Sequence, residues 1–406
     1  MIHVCYALRD EQGTYSKFVG TSIQSLLENT KENVTVHILY DDTLSEKNRN
    51  LLRQLICNFN QDVLFYNVDE LVPEKIERCW DIPSLKNDRH GVAIYYRLMI
   101  PGLFPPHVSR VIYLDADLII HLDINEMWTM DLEGHPIAAI PEFSSGQREF
   151  TLKRFGPVVD GDVDFRDYFN AGVMIMDLDK IRQEEGDLLD RGVDTILERP
   201  HYKLNDQDAL NYMYRNNFLK LSSRFNRRID IERRNGNRSH IERDILHYNQ
   251  RTAKSEMIDA FNRLWFSYYC RTPFCTSEAL LNMTDASQRT IQKEKNLWKR
   301  IANLSTIRSR GFFVYPKDAE KIVNLIGKSD GDIGLNAEFP NAIENLVENM
   351  ESHRGNVMFF IYVPEEDYPK IRQTLIRRKF KENIDFFDVN ELYAVYKEGY
   401  SHVLNM

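Results

Sequence analysis

Short apolar runs alternate with amphipathic stretches along the N-terminal half of the chain. Apolar, β-branched runs of strand length span residues 2–8, 34–40 and 63–68. Between them, apolar side chains recur at helical spacing over 18–27 and 51–59. Alternating strands and helices are typical of a parallel sheet with helices on both faces. Because ligands of such sheets bind beyond the carboxyl ends of the strands, polar residues at those ends are the first candidates for a site.

The centre of the chain contains two apolar strands that carry polar residues. Val111 to Leu114 predicts a buried strand, and Asp115-Ala116-Asp117 follows it directly. Phe169 to Met176 predicts a second strand, in which Asn170 and Gly172 interrupt the apolar pattern. Both segments therefore bring hydrogen-bonding side chains to the place where a ligand would bind.

Residues 222–243 differ in composition from the helical patterns over 187–198 and 206–214 that precede them. Only three acidic residues stand against seven arginines, at positions 224, 227, 228, 233, 234, 238 and 243. Such a run is typical of a solvated charged face. The functional alternative is that this loop lies near a diphosphate or recognises an acceptor.

A second, smaller α/β unit is expected after about residue 290. The segments that predict it are strands at 311–315, 357–363 and 384–388 and a basic helix at 365–378. It contains no glycine-rich phosphate turn. We expect three parts: a catalytic domain over 1–270, a helical connection over 271–295 and an add-on domain over 296–406.

Composition excludes several classes of protein. The 406 residues contain 61 Asp and Glu against 52 Lys and Arg, which gives a formal charge of −9. A nucleic-acid binder usually has the opposite balance.

No uncharged apolar run approaches the roughly 20 residues of a spanning helix, so we expect no transmembrane segment. The chain opens directly into a strand-like run, so we expect no signal peptide. Five cysteines without zinc-like spacing indicate reduced thiols in a cytoplasmic protein.

Asp115 and Asp117 are the most specific chemical feature of the sequence. Alternate residues at a strand end share a face, so both carboxylates can bind one hard cation, and such an ion can neutralise a diphosphate. By itself an Asp-x-Asp also fits solvated carboxylates or a helix cap. It also fits a haloacid-dehalogenase-like phosphatase, although Leu118-Ile119 follow it here and about 110 residues precede it.

Seven motifs in order resemble those of glycosyltransferase family 8, over roughly residues 1–265. They are Ala7…Asp10…Tyr15, Tyr96-Arg97-Leu98, Tyr113-Leu114-Asp115-Ala116-Asp117, Phe169-Asn170-Ala171-Gly172-Val173, Asn205-Asp206-Gln207-Asp208 with Asn211, Arg224-Phe225-Asn226, and His247-Tyr248. The resemblance implies a GT-A fold, a Rossmann-like mixed sheet flanked by helices. It also implies a UDP-sugar donor, a Mn²⁺ cofactor with Mg²⁺ as the alternative, and retention of anomeric configuration.

The resemblance implies roles for individual residues. It implies a metal site of Asp115, Asp117 and His247, and catalytic roles for Gln207, Asp206 and Arg97. The donor site that it implies consists of Ala7, Leu8, Asp10, Tyr15, Arg97, Ala116, Asn170, Ala171, Asp206, Gln207 and Lys254. In this scheme Ala7 and Asp10 hold the uracil and ribose, and Tyr15 stacks on the base. Gln207 lies nearest the far face of the sugar, and because an amide is a poor nucleophile a front-face reaction is expected.

Each of these positions also has a purely structural explanation. Tyr15 can belong to the core, Arg97 to the surface and Asn170 to a strand bulge, and residues 206–208 can cap a helix. The sequence departs from the family pattern twice. The spacing from Asp10 to Tyr15 is three residues longer, and no Lys-Pro-Trp follows His247, so Lys254 or Arg251 would have to contact the diphosphate.

The function implied by the resemblance is transfer of galactose or glucose from a UDP-sugar to a glycan acceptor on a glycoprotein. The alternatives are a metal-dependent phosphohydrolase and a non-catalytic partner protein that keeps only the fold. The C-terminal unit is similar to add-on domains of bacterial transferases that elaborate serine-rich adhesin glycans. Because this unit has a basic helix and no candidate catalytic cluster, we expect it to bind the acceptor, another transferase or a second copy of the chain.

Overall fold

A computed structural model of the chain describes residues 1–87, 91–142, 156, 158, 161–184, 186–234, 240–248, 260–277, 309–314, 333–336, 342–362, 368–382 and 385–388. The chain divides into two units, Met1–Leu280 and Leu281–Met406. None of the helices described in these ranges is long and apolar enough to span a bilayer.

The strands of the first unit are β1 (Ile2–Leu8), β2 (Val34–Tyr40), β3 (Asp62–Asn67), β4 (Arg110–Leu114), β5 (Leu118–Ile120), β6 (Ile137–Pro141), β7 (Phe169–Asp177), β8 (Leu219–Lys220), β9 (Arg227–Arg228) and β10 (Ile245–His247). Its helices are α1 (Ser16–Asn29), α2 (Glu46–Asn58), α3 (Val68–Leu71), α4 (Pro73–Cys79), α5 (Tyr96–Leu103), α6 (Asn125–Trp128), α7 (Leu178–Gln183), α8 (Leu188–Glu198), α9 (Asn205–Met213), α10 (Ile229–Arg234) and α11 (Ala260–Tyr269). Three short 3₁₀ segments, Pro83–Asn87, Gly91–Tyr95 and Ser223–Asn226, complete the described elements.

The main sheet of the first unit is mixed. Within the described ranges it has seven strands in the order β3-β2-β1-β4-β7-β6-β8. Strands β3, β2, β1 and β4 are parallel, and β7 runs antiparallel to both of its neighbours. The predicted sheet is therefore present, and β7 adds the antiparallel part that makes it mixed.

The four helices of the first unit that the apolar pattern predicts are present as α1, α2, α8 and α9. Helix α1 buries Phe18, Val19 and Ile23 on the predicted stripe. The strand predicted to end at Val68 ends one residue earlier, because Asn67 accepts a hydrogen bond from the backbone N–H of Asp69 (3.2 Å) and so begins a helix. Local capping chemistry thus decides the boundary.

A second, small sheet places the end of the first unit against the centre of the chain. Strand β10 pairs antiparallel with β5 and parallel with β9. In this register His247 lies opposite Leu118, next to Asp117. The pairing brings two segments that are distant in sequence to one point.

The second unit, described by itself, is also α/β. Its elements are β11 (Ser309–Val314), β12 (Ile333–Asn336), α12 (Ala342–Ser352), β13 (Val357–Tyr362), α13 (Tyr368–Arg377) and β14 (Phe386–Asp388). The four described strands are parallel in the order β12-β11-β13-β14, and β12 was not predicted from the sequence. Its core packs apolar residues of α12 and α13 against β13 and β14.

Candidate active site

Asp115, Asp117 and His247 converge at the carboxyl end of β4. One ligand atom from each lies within 4.8 Å of the other two. His247 Nε2 is 3.3 Å from Asp117 Oδ1 and 3.9 Å from Asp115 Oδ2. Asp117 and His247 are buried, and Asp115 is partly exposed. Two carboxylates and one imidazole form a donor set that suits a divalent transition metal such as Mn²⁺.

The close approach of Gly172 shows how tightly the site is packed. A methyl group at this position would lie 2.6 Å from Asp115 Oδ2 and 2.7 Å from His247 Cε1. Only a residue without a side chain leaves these ligand atoms in place. The three candidate ligands and the glycine together fit a small bound cation, which would be held by oxygens of both carboxylates and by His247.

The charges of the three groups depend on one another. Burial is the largest single influence on His247 and lowers its pKa. The carboxylates of Asp117 and Asp115 act in the opposite direction, and together they outweigh burial. The net result is that the pKa of His247 is raised above its usual value. The site thus favours a positive charge between the two carboxylates.

Arg97 is a buried brace. Its guanidinium pairs with Asp115 Oδ1 at 3.2 Å and with Asp206 Oδ2 at 3.0 Å, and it donates a hydrogen bond to the carbonyl of Ala171 at 2.6 Å. Its Cζ lies 4.6 Å from the ring centre of Tyr113, whose hydroxyl donates to Asp115. The surface interpretation of Arg97 is therefore wrong: its side chain is 10% exposed and joins the metal end of the site to Asp206.

Asp206 is a buried carboxylate that can accept further hydrogen bonds. Its Oδ2 pairs electrostatically with Arg97 but receives no well-directed hydrogen bond from the part of the chain that the structure describes. Burial raises the pKa of Asp206 to about 7, although Arg97 opposes the shift. A buried carboxylate oxygen that lacks a well-directed hydrogen bond is suited to bind a hydroxyl group of a sugar.

Gln207 and Asn170 lie side by side. The Gln207 Oε1 accepts hydrogen bonds from Asn170 Nδ2 at 3.0 Å and from the backbone N–H of Ala171 at 3.1 Å. Its Nε2 donates to the hydroxyl of Tyr168 at 3.0 Å, and that hydroxyl donates to Asp208 at 2.6 Å. The structure thus brings the catalytic candidates Gln207, Asp206 and Arg97 to the region of the metal candidates.

The predicted nucleoside end of the site is organised differently. Asp10 is buried, and its carboxylate accepts hydrogen bonds from the backbone N–H of Tyr15, from Ser16 Oγ and from Asn48 Nδ2. Asp10 therefore holds the loop that leads into α1. Ala7 and Leu8 end β1, and Tyr15 is partly exposed at the start of α1.

The remaining donor-site candidates divide into two groups. Ala116 is buried in the turn between β4 and β5, and Ala171 is buried in β7. Lys254 and its alternative Arg251 lie outside the described residues. The contact to the diphosphate consequently stays a prediction.

Three described arginines of the 222–243 segment, Arg224, Arg227 and Arg228, form ion pairs, and Arg243 is exposed. Arg227 pairs with Asp244 and Glu232, and the buried Arg228 pairs with Glu142 and Asp230. These two are therefore structural cations and not a solvated face. The side chains of Arg233, Arg234 and Arg238 lie outside the described residues.

These ion pairs line a cavity of about 600 Å³ that reaches Asn170 and Asn226. Its charged wall comprises Glu142, Arg224, Arg227, Arg228, Glu232, Glu242 and Asp244. The Oε2 atom of Glu142 is buried in this wall and has no hydrogen-bond partner among the described residues. An open polar cavity next to Asn170 has the chemistry to hold a hydroxyl-rich ligand.

Sequence reasoning assigned no role to Asn226, Tyr113 or Tyr168, and gave Asp208 only a structural one in a helix cap. Asn226 Oδ1 contacts His247 Nδ1 at 2.8 Å, and its Nδ2 donates to Asn170 Oδ1 at 2.8 Å. Asn226 and Asp208 were within the quoted motifs, but their spacing gives no sign of which partner each contacts.

Comparison with known proteins agrees with this geometry. The sequence profile of Glycosyl transferase family 8 matches residues 4–255. General stress protein A of Bacillus subtilis is 28% identical over 217 residues, which are 52% of this chain and 70% of that protein. A lipopolysaccharide 1,2-glucosyltransferase of Escherichia coli is 27% identical over 218 residues, so this chain spans only 59% of its length.

The fold agrees with that of a solved structure, the galactosyltransferase LgtC in complex with donor and acceptor sugar analogues. The TM-score is 0.55 at 19% identity, over 68% of this chain and 98% of that one. This likeness confirms the predicted GT-A fold. The family profile covers more than half of the chain, including the Asp115, Asp117 and His247 cluster and the residues around Asp206. The chain therefore belongs to glycosyltransferase family 8.

Proposed function

We propose that the chain transfers a hexose, galactose or glucose, from a UDP-sugar to a glycan acceptor on a glycoprotein, with retention of configuration. The observation that carries the proposal is the Asp115, Asp117 and His247 cluster beside the buried carboxylate of Asp206. The names of the similar proteins above support a hexose as the transferred group.

Asp115, Asp117 and His247 would hold Mn²⁺, with Mg²⁺ as the alternative. The ion would supply charge neutralisation for the leaving diphosphate. Arg97 keeps Asp115 oriented from the other side through its ion pair and its bond to the Ala171 carbonyl. Tyr113 holds the same carboxylate through its hydroxyl. Both contacts preorganise the ligand before the donor binds.

Asp206 would orient the hydroxyls of the donor sugar, and Gln207 would line the same pocket. The Gln207 oxygen already accepts two hydrogen bonds, which further reduces the nucleophilicity of an amide. This supports a front-face reaction, in which the leaving diphosphate assists the incoming acceptor. A product with inverted anomeric configuration in NMR, or a glycosyl group trapped on Asp206, would contradict it.

The acceptor would enter through the cavity next to Asn170. Its described wall carries three arginines and four acidic residues, most of them paired with one another. A wall with balanced charge favours a neutral glycan end over a strongly acidic one. The unpartnered oxygen of Glu142 would accept a hydrogen bond from a sugar hydroxyl after a small rearrangement.

Release of UDP tests the proposal. UDP-galactose and UDP-glucose are incubated with the protein and Mn²⁺, with and without excess chelator. We expect release with one of the two sugars, loss with chelator and recovery with Mn²⁺. Asp115→Asn should lower the rate by about 10²-fold or more, since a metal supplies several kcal/mol of charge stabilisation. Asp62→Asn, at an exposed position of β3, is the matched control.

Each alternative function predicts a different product. A phosphohydrolase would release inorganic phosphate from phosphomonoesters; membership of glycosyltransferase family 8 makes this interpretation wrong for residues 4–255. A non-catalytic partner protein would bind the donor without releasing UDP. Full activity in excess chelator would remove the metal from the proposal.

The second unit is proposed to bind the acceptor, another transferase or a second copy of the chain. Its four parallel strands and its apolar core support a separate folding unit. The proposed division of the chain keeps all candidate catalytic residues within 1–270 and places the add-on domain at 296–406. The likeness to enzymes of serine-rich adhesin glycosylation also stays a proposal, as does a cytoplasmic location.

A further inference from the structure

His247 has two ring nitrogens with different neighbours. Nε2 faces Asp117 and Asp115, whereas Nδ1 lies 2.8 Å from Asn226 Oδ1 inside the protein. A neutral imidazole carries its proton on only one nitrogen, and only the other can bind a cation. The group next to Nδ1 therefore decides whether Nε2 is available.

Two backbone N–H groups determine how the neighbouring amides are turned. The N–H of Gly172 donates to Asn170 Oδ1 at 3.1 Å, and the N–H of Ala171 donates to Gln207 Oε1 at 3.1 Å. A backbone N–H can only donate, so the atoms that face it must be oxygens. The orientation of both side-chain amides follows from this chemistry, which removes the usual ambiguity between amide oxygen and nitrogen.

The orientation is passed on to His247 through Asn226. Asn170 presents its oxygen, so Asn226 must turn its NH₂ group toward it, and the two atoms are 2.8 Å apart. The carbonyl oxygen of Asn226 then faces His247, and that oxygen can only accept. His247 must consequently carry a proton on Nδ1.

We propose that Asn226 is a positioning residue that holds His247 as the Nδ1–H tautomer. This tautomer reserves the Nε2 lone pair for a divalent cation between Asp115 and Asp117. The use of the lone pair rests on the metal site of the proposed function. The tautomer itself does not, because the hydrogen-bond chain from Gly172 to His247 is made of protein groups alone.

The wild-type protein gives the first test without any substitution. Histidine is labelled with ¹⁵N, and the nitrogen shifts of His247 are read in the metal-free protein at a pH where its imidazole is neutral. The signal is identified by its absence in His247→Gln. We expect a protonated Nδ1 and an unprotonated Nε2. A neutral His247 protonated on Nε2 would overturn the proposal.

Two substitutions at Asn226 separate its acceptor role from its volume. Asn226→Asp keeps an oxygen that can only accept, and we expect it to retain the Nδ1–H tautomer. Asn226→Leu keeps the approximate shape without an acceptor, and we expect loss of that preference. We also expect about 10- to 100-fold weaker Mg²⁺ affinity by calorimetry, as is typical when the partner of a ligating histidine is removed.

Asn67→Leu is the matched control, because it also removes a buried amide that accepts and donates one hydrogen bond, at the end of β3. It should leave both the His247 shifts and the Mg²⁺ affinity at wild-type values. Wild-type shifts and affinity in a folded Asn226→Leu would overturn the proposal, and so would loss of the Nδ1–H tautomer in Asn226→Asp. None of these measurements uses donor or acceptor, so a protein that transferred no sugar would still give a decisive result.

Discussion

The two units differ in what they bury. The first unit buries charged side chains in a connected set, among them Arg97, Asp117, Asp206 and His247. Among the described residues of the second unit, every fully buried side chain is apolar, and the ion pairs Arg372–Glu382 and Arg378–Glu351 are partly or largely exposed. Burying charge costs free energy unless partners compensate, so a protein keeps such a set only where it needs it. Burial of charge thus distinguishes the unit that contains the candidate active site.

The largest expected effect comes from filling the space next to the metal candidates. Gly172→Ala places a methyl group within 2.7 Å of Asp115 and His247 atoms, so these groups must move apart. We expect divalent-cation binding to be lost and UDP release to fall by about 10²-fold or more, since the metal supplies several kcal/mol of charge stabilisation. Calorimetry with Mg²⁺ and the UDP-release assay measure both.

Gly161→Ala is the control, because a methyl group there meets no atom of the described residues within 4 Å. The contrast between the two glycines would disappear if Gly172→Ala bound the cation with wild-type affinity. That result would mean that the buried cluster of the first unit does not depend on its close packing.

The next effect concerns Arg97, whose guanidinium contacts two carboxylates and the backbone carbonyls of Ile94 and Ala171. Lysine keeps the charge but lacks the planar fork, so Arg97→Lys should leave at least one partner unsatisfied. We expect the free energy of unfolding to fall by about 1–3 kcal/mol. Arg166→Lys, in an exposed pair with Asp164, should leave it unchanged within the error of the measurement. Urea denaturation compares the two, and equal losses would show that burial of the pair is irrelevant.

A pH dependence should follow from Asp206. Its folded pKa is about 7 against a reference value of 3.8, so folding favours its protonated form. The contribution of this group to stability is full below about pH 4 and is lost as the pH rises to about 7. Asp206→Asn cannot ionise and should therefore gain stability relative to wild type over that interval. Denaturation at several pH values measures this, and a constant difference would contradict a raised pKa.

The smallest effect on donor chemistry is expected from the second unit. A chain that ends near residue 290 keeps every candidate catalytic residue, so hydrolysis of UDP-sugar should stay close to the full-length rate. Transfer to the acceptor should weaken if the second unit binds it. Separate assays of UDP release and of product formation distinguish the two rates. Equal loss of both in a well-folded protein would show that the second unit completes the active site.

Much of the architecture follows from local patterns. Apolar periodicity predicts strands β1, β2 and β4 and the main helices, because burial of an apolar face depends on spacing along the chain. The pairing of Asp115 with Asp117 is also local, since two residues at one strand end share a face. Strand β12 and the extent of β3 were less predictable, because short strands depend on pairing and on capping.

Other features required distant segments to meet, and only the tertiary structure decided them. His247 joins Asp115 and Asp117 through the register of β10 on β5. The nucleoside contact of Asp10 stays a prediction, and the folded chain adds that its carboxylate holds the loop before α1.

The spacing of residues along the chain does not predict the hydrogen-bond partner of each polar side chain. The sequence allowed Arg97 to lie either at the surface or in the site. Its burial between Asp115 and Asp206 shows that it belongs to the site. Asn226 was part of a motif without an assigned role, and only the folded chain shows that its carbonyl oxygen contacts His247. Sequence by itself therefore determined the fold class, the family and the residue types at the site. Which atom donates and which accepts depends on contacts between segments far apart in the chain, and these exist only after folding.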